Sequence, residues 1–270
     1  MALAASSQVP IVALRGVGKT FANGVTALDC LDLAVRAGEF LTLLGPSGCG
    51  KSTALRIIAG LSEPSRGAVE WPSAAVPEAG RHDIGFVFQE PTLMPWASVA
   101  GNVRLPLDLQ RDTATAPSRV VAALEGVGLA GFAQAYPREL SGGMKMRVSI
   151  ARALVTDPPL LLMDEPFAAL DEITRFKLND ELIALWRAVG NTVVFVTHSV
   201  FESVYLSSRI VVMTPRPGRI FADLEIDAPF PRDESFRTSP EYAGYCRTVS
   251  QALAQAMAEP AAPAVAGGKP

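Results

Sequence analysis

The stretch Gly45-Pro46-Ser47-Gly48-Cys49-Gly50-Lys51-Ser52-Thr53 sets glycines, a lysine and two hydroxyls at the spacing G-x-x-x-x-G-K-[ST]. Such a loop can wrap phosphate oxygens in a run of backbone N–H groups. Gly45, Gly48 and Gly50 permit the bends and the close ligand approach that a Cβ would hinder. Lys51 brings a compact charge to the outer phosphates, and the Ser52 hydroxyl is a hard oxygen ligand suited to Mg²⁺. Cys49 reads as a loop residue, not a nucleophile. The apolar run Phe40 to Leu44 precedes the loop and Ala54 to Ala59 follows it. Strand, glycine turn and helix in that order aim the positive end of the helix dipole at the phosphates.

A second set of reactive groups stands at the ends of apolar runs. Asp164-Glu165 closes Leu160 to Met163, the edge where open α/β sheets place ligands. Asp164 can hold Mg²⁺ opposite Ser52, and Glu165 can orient and deprotonate an attacking water. His198 ends the run Thr192 to Thr197. It either donates from a ring nitrogen to a terminal phosphate or takes a backbone partner at the strand end. Gln89 ends the run Asp83 to Phe88; its amide can meet Mg²⁺ or water, and a purely structural role fits equally. Ser141-Gly142-Gly143 offers a hydroxyl and two amides at a helix start, a possible second anion site, although an ordinary helix start explains the same residues. His82, in a polar loop, reads as structural. Lys51, Glu165 and His198 are thus the candidate catalytic side chains, and Ser52, Gln89 and Asp164 the candidate metal ligands.

The elements that must position these groups follow from periodicity. Ile11 to Leu14 reads as a strand, and Gly16, Gly18 and Gly24 bracket a turn region around Lys19-Thr20-Phe21. Leu31, Leu33 and Val35 alternate with polar or small residues, as in a half-buried strand. Arg66 to Trp71 is a further short strand. Between residues 99 and 156 no strand is expected; Ser118 to Val127 and Lys145 to Val155 have helical spacing. Ile173 to Val189 is an amphipathic helix with Ile173, Phe176, Leu182, Leu185, Trp186 and Val189 near one face. Ile210 to Met213 and Arg219 to Phe221 flank Pro215 and Gly218 as a hairpin. Glu241 to Ala258 reads as a helix.

Composition narrows the function classes. The chain has 270 residues, 49% hydrophobic and 19% charged, which suits a sizeable core. A net charge of −3 gives no reason to expect a nucleic-acid binder. Cys30, Cys49 and Cys246 are isolated, which argues against a disulfide framework or a zinc site and suits a reducing compartment. A secretory signal is not expected. No uncharged apolar run approaches about 18 residues, so a membrane role would pass through a partner.

In their order along the chain, these motifs resemble the ATP-binding subunit of an ABC transporter. The phosphate loop Gly45–Thr53, Gln89, Leu140-Ser141-Gly142-Gly143, Leu160–Glu165, Ala169-Leu170-Asp171 and His198 match the family's loop, Q-loop, signature, Walker B, D-loop and switch positions. The likeness spans nearly everything from Val12 to Phe230. It implies an α/β P-loop NTPase (ABC ATPase) core with an antiparallel β-subdomain and a helical subdomain insertion. The expected organisation is a flexible N-terminus (1–9), an ABC ATPase domain (10–231, helical subdomain about 97–157), a helical extension (232–258) and a disordered tail (259–270).

The resemblance also implies roles and partners. Phe21, which by sequence alone would read as a core aromatic, would stack on adenine. Ser141, Gly142 and Gly143, with Asp171, would complete the ATP site of a second copy, giving a head-to-tail homodimer around two ATP molecules, with Mg²⁺. Gln89 to Trp96, Asn102 to Leu107, Thr197 to Glu202 and Arg216 to Ile220 resemble importers of the nitrate/sulfonate/taurine group, as does Met144 where most relatives carry Gln. The chain would then sit peripherally on the cytoplasmic face of the inner membrane, bound to permease subunits and served indirectly by a periplasmic or extracellular solute-binding protein. Leu93, Met94 and Trp96 are the candidates for the permease contact; the alternative is that they cover the helical subdomain. A soluble or exporter-type ABC ATPase stands as the alternative function. Ala168-Ala169 in place of Ser-Ala, and Lys145-Met146 in place of a more polar pair, depart from the family pattern without removing a catalytic group.

Overall fold

The computed structural model describes residues 9–72 and 83–259. The expected N-terminal and C-terminal flexible segments lie outside these residues except for Val9 and Glu259, and so does His82. Among the described residues the strands are β1 (Pro10–Thr20), β2 (Thr26–Arg36), β3 (Phe40–Leu44), β4 (Arg66–Glu70), β5 (Ile84–Val87), β6 (Leu160–Asp164), β7 (Thr192–Thr197), β8 (Arg209–Met213) and β9 (Ile220–Glu225). The helices are α1 (Lys51–Ile58), α2 (Val99–Leu109), α3 (Ala116–Gly126), α4 (Gly142–Leu154), α5 (Glu172–Val189), α6 (Val200–Leu206), α7 (Glu234–Arg237) and α8 (Pro240–Ala258).

The continuous apolar runs become the centre of a six-stranded sheet ordered β5-β6-β7-β3-β8-β9. Its first five strands are parallel and β9 is antiparallel to β8. Strands β3, β6, β7 and β8 are buried along their whole length. A parallel strand covered on both faces has no polar side to alternate with, which is why these runs read as unbroken hydrophobics. A smaller antiparallel sheet, β2-β1-β4, lies over α1. Helices α2 to α6 and α8 share the core on the other face of the large sheet.

Register sets the site. Leu44 lies level with Thr197 and Asp164 with Val196. The phosphate loop, the acidic pair and His198 therefore leave the sheet at one edge.

The structure departs from sequence expectation in several places. Strand β1 continues through Gly16, Gly18 and Lys19 to Thr20, leaving only residues 21–25 as the turn. Register shifts around Val17 keep β1 paired with β2 and β4 despite the glycines. Strand β5 ends at Val87, so Gln89 sits beyond it. On α5 the fully buried side chains are Leu178, Asn179, Leu182 and Ile183, while Ile173 is 83% exposed and Phe176 and Val189 are also exposed. Leu185 and Trp186 are partly buried against the core, Trp186 meeting Phe40 edge-on at 5.5 Å, so the expected stripe is buried unevenly along the helix. Helix α2, broken in pattern by Pro106, was not expected from periodicity.

Candidate nucleotide site

The turn from β3 to α1 is forced by its neighbours. Gly50, just before α1, has φ of 108°, and a Cβ there would lie 2.7 Å from the Ala27 carbonyl oxygen. Only glycine suits both constraints. Helix α1 then starts at Lys51, whose Nζ donates to the carbonyls of Gly45 (2.8 Å) and Pro46 (3.0 Å). Lys51 is buried, and its ammonium stands 3.7 Å from Glu165 Oε1. Beside it, Ser52 Oγ donates to Asp164 Oδ1 at 2.6 Å. Burial raises the Asp164 carboxyl above its ordinary value, partly offset by the Ser52 bond. Cys49 is buried, and burial pushes its thiol up as well, the opposite of what a nucleophile needs.

Glu165 bridges two of the candidate groups. Its Oε2 lies 3.3 Å from His198 Nδ1, while Oε1 faces Lys51. Its backbone has φ of 47°, a left-handed conformation that costs a non-glycine residue about 1–3 kcal/mol. The state is held by its N–H donating to Val196 O (3.0 Å) and its carbonyl accepting from Ala168 N (3.2 Å). A cavity of about 340 Å³ opens over these groups, lined among others by Phe21, Asn23, Lys51, Ser52, Glu165 and Arg216. Phe21 is 43% exposed, not a core aromatic.

Other sequence-selected residues lie elsewhere. Gln89 is exposed and does not line the cavity. Ser141 caps α4, its Oγ accepting from Met144 N at 3.3 Å, and it and Gly142 are exposed. Gly142 and Gly143 pack beside Leu170 and Thr174. Asp171 caps α5, its Oδ1 accepting from Thr174 N at 2.9 Å, and its hydrogen bonds from Thr174 hold its carboxyl below the ordinary value. Leu93 packs partly into the core, Met94 is half-buried, and Trp96 is 76% exposed. Their loop is tied down by Asn102, fully buried, which accepts from Met94 N (2.7 Å) and donates to the carbonyls of Met94, Ala97 and Ser98.

Sequence reasoning passed over Arg216 and the packing of Gly218. Arg216 Nε donates to Gly48 O at 3.0 Å. A Cβ on Gly218 would stand 2.0 Å from the Cys49 carbonyl oxygen, and Gly218 N–H donates to Ala27 O (2.9 Å). The Arg-Pro-Gly turn of the predicted hairpin was the available signal, since a glycine in a hairpin can mark close backbone approach.

The ABC transporter family profile matches residues 28–168. An uncharacterized ABC transporter ATP-binding protein from Methanocaldococcus jannaschii is 50% identical over 86% of this chain and 85% of its own length. The chain belongs to the ABC transporter ATP-binding family. Further ABC relatives include the aliphatic sulfonates import ATP-binding protein of Bacillus licheniformis, 44% identical over 86% of this chain and 89% of its own. Another is the corresponding protein of Pseudomonas syringae, 48% identical over 82% and 87%. A dimeric ATP-binding cassette in a post-hydrolysis state, bound to ADP and Pi, superimposes with a TM-score of 0.69 and 35% identity, covering 81% of this chain and all of that one. As an ABC ATPase the chain binds and hydrolyses ATP, and its two sheets and helical insertion form an ABC ATPase cassette.

Proposed function

We propose that the chain energises an importer of small anionic solutes of the sulfonate, taurine or nitrate type. The observation that carries the chemistry is one cluster in which Ser52 bonds Asp164 and Glu165 stands between Lys51 and His198. The sulfonate-import relatives support the solute class. Lys51 neutralises the outer phosphates of ATP, exchanging its loop carbonyls for phosphate oxygens. Phe21 stacks on the adenine. Glu165 takes the proton of the attacking water, and His198 donates to the γ-phosphate. Gln89 swings in from beyond β5 when nucleotide is bound.

The donor set fits Mg²⁺. Ser52 and Asp164 already converge through a hydrogen bond, and hard oxygens suit this ion. Ser52, Asp164 and Gln89 would hold the ion, which would spread the negative charge of the phosphates.

Ser141, Gly142, Gly143 and Asp171 serve the site of a second copy, so two chains close head-to-tail on two ATP molecules. Leu93, Met94 and Trp96 receive the permease. Attachment at the cytoplasmic face of the inner membrane runs through permease subunits, with a solute-binding protein on the far side; among the described residues no helix is long and apolar enough to cross a membrane.

Reconstitution tests this reading. Proteoliposomes containing the chain, its permease and its solute-binding protein should take up labelled taurine, ethanesulfonate or nitrate when ATP is supplied on the cassette side. Lys51→Ala should abolish uptake. ATP-driven movement in the opposite direction would overturn the importer assignment, and an uncharged preferred solute would overturn the anion class.

A further inference from the structure

The backbone around His198 is held by a closed circuit of hydrogen bonds in which the His198 side chain takes no part. Ser199 N–H donates to Thr197 Oγ1 at 3.0 Å. Thr197 Oγ1 donates to Glu202 Oε2 at 2.5 Å, and Glu202 N–H returns to Ser199 Oγ at 3.3 Å. Residues 197 and 199 flank His198, so the circuit fixes the chain on both of its sides as β7 gives way to α6. The strand end is anchored too, because Thr197 lies level with Leu44, the last residue before the phosphate loop. The imidazole is left half exposed, with Nδ1 3.3 Å from Glu165 Oε2.

Ser199-Val200-Phe201-Glu202 has the spacing of a capping box, in which the glutamate reaches back to the N–H of the cap residue. Here the Thr197 hydroxyl stands between them. It accepts from Ser199 N–H, and its single hydrogen goes to Glu202. The box is thereby extended backwards over His198 into the strand. Capping alone does not require this carboxylate, since Ser199 Oγ accepts from the backbone N–H of residue 202. The Glu202 side chain is buried, and burial raises its carboxyl above its ordinary value, partly offset by the Thr197 bond. A buried acid is costly where an apolar side chain would fill the space. What the acid adds is its hold on Thr197.

Glu202 does not act on the reacting groups itself. Its carboxylate bonds Thr197, not His198, and a gap of about 10 Å³ is shared by Glu165, Thr197, His198, Ser199 and Glu202.

We propose that Glu202 and Thr197 are positioning residues for ATP hydrolysis: Glu202, through the Thr197 hydroxyl, sets the direction in which His198 presents its imidazole beside Glu165. The inference deepens the reading in which His198 donates to the γ-phosphate, and rests on it.

The test measures steady-state ATPase activity of the purified full-length chain carrying Thr197→Val, Glu202→Leu or Glu202→Gln, each alone and combined with His198→Ala. A small misplacement of a catalytic group can cost on the order of 10²-fold in rate. Thr197→Val and Glu202→Leu should lower kcat by about ten- to a hundredfold, with the ATP KM changed by less than about twofold. Glu202→Gln keeps an oxygen acceptor and should recover most of the rate. In the His198→Ala background the three substitutions should cost nothing further, because groups that act as a unit are not additive. Thr197→Val, which keeps the side-chain shape, carries the test if Glu202→Leu fails to fold. The chain has two histidines, His82 and His198, so ring NMR signals report the geometry even where turnover is too slow to measure. The His198 signals should move in Thr197→Val and Glu202→Leu and stay near their wild-type position in Glu202→Gln, with those of His82 unmoved throughout. Losses that multiply in full with that of His198→Ala, a Glu202→Gln variant as slow as Glu202→Leu, or His198 signals that stay in place would each overturn the positioning role while leaving His198 as the donor. Wild-type turnover in His198→Ala would instead remove the donor assignment, and the positioning role with it.

Discussion

Glu165 combines a strained backbone with two close side-chain neighbours, Lys51 and His198, and that combination makes a sharp prediction. A carboxylate between Lys51 and His198 is oriented before substrate arrives. General base catalysis contributes roughly 10²–10⁴-fold, about 3–5 kcal/mol of barrier. Glu165→Gln keeps the shape and removes the base. Steady-state phosphate release should fall by that factor while ATP affinity changes little in a nucleotide titration. Loss of binding in proportion to turnover would reassign Glu165 to holding nucleotide. At this scale much of the cluster was legible in the sequence, because Lys51, Ser52, Asp164, Glu165 and His198 each stand at or just beyond the start or end of an element whose apolar run is plain. Arg216 was not, because its bond to Gly48 joins positions 168 residues apart and exists only once β8 and β9 fold back. Nor could the sequence decide whether Phe21 was core or exposed; that follows from the short turn in which it sits.

At the scale of elements, the phosphate loop is clamped from outside by the β8–β9 hairpin. Gly218→Ala would drive a methyl into the Cys49 carbonyl. Overpacking of this kind typically costs about 1–3 kcal/mol, and here the shift falls on the loop that holds phosphate. Chemical denaturation should show the loss of stability, and ATP affinity should drop with it; a loss of stability with unchanged affinity would mean the hairpin yields and the loop does not. The loop before α2 depends on a single amide in a similar way. Asn102→Leu removes the acceptor for Met94 N–H and the donor to three carbonyls, and should cost about 2–4 kcal/mol, read as a lower denaturation midpoint. The parallel strands were readable because burial on both faces leaves an unbroken apolar signature. The stripe on α5 misled because periodicity reports which residues could share a face, not which of them the neighbouring elements cover. Ile173 is left exposed, and Phe176 meets Arg237 instead of the core.

For the whole molecule, the exposed positions Ser141 and Gly142 lie outside the cavity that holds Lys51. If they complete the site of a second copy, two defects in different chains should compensate. Lys51→Ala spoils a chain's own phosphate loop, and Ser141→Arg spoils what it lends to its partner. Each variant alone should be inactive. In a head-to-tail pair of one with the other, both defects fall on one site, and the second site receives an intact loop from one chain and an intact signature from the other. Mixing the two inactive proteins should therefore restore part of the wild-type ATPase activity, and specific activity of the wild type should fall on dilution as dimers dissociate. If the mixture stays silent while wild type retains full specific activity at the lowest measurable concentration, hydrolysis is completed within one chain, and Ser141 with its glycines does no more than cap α4.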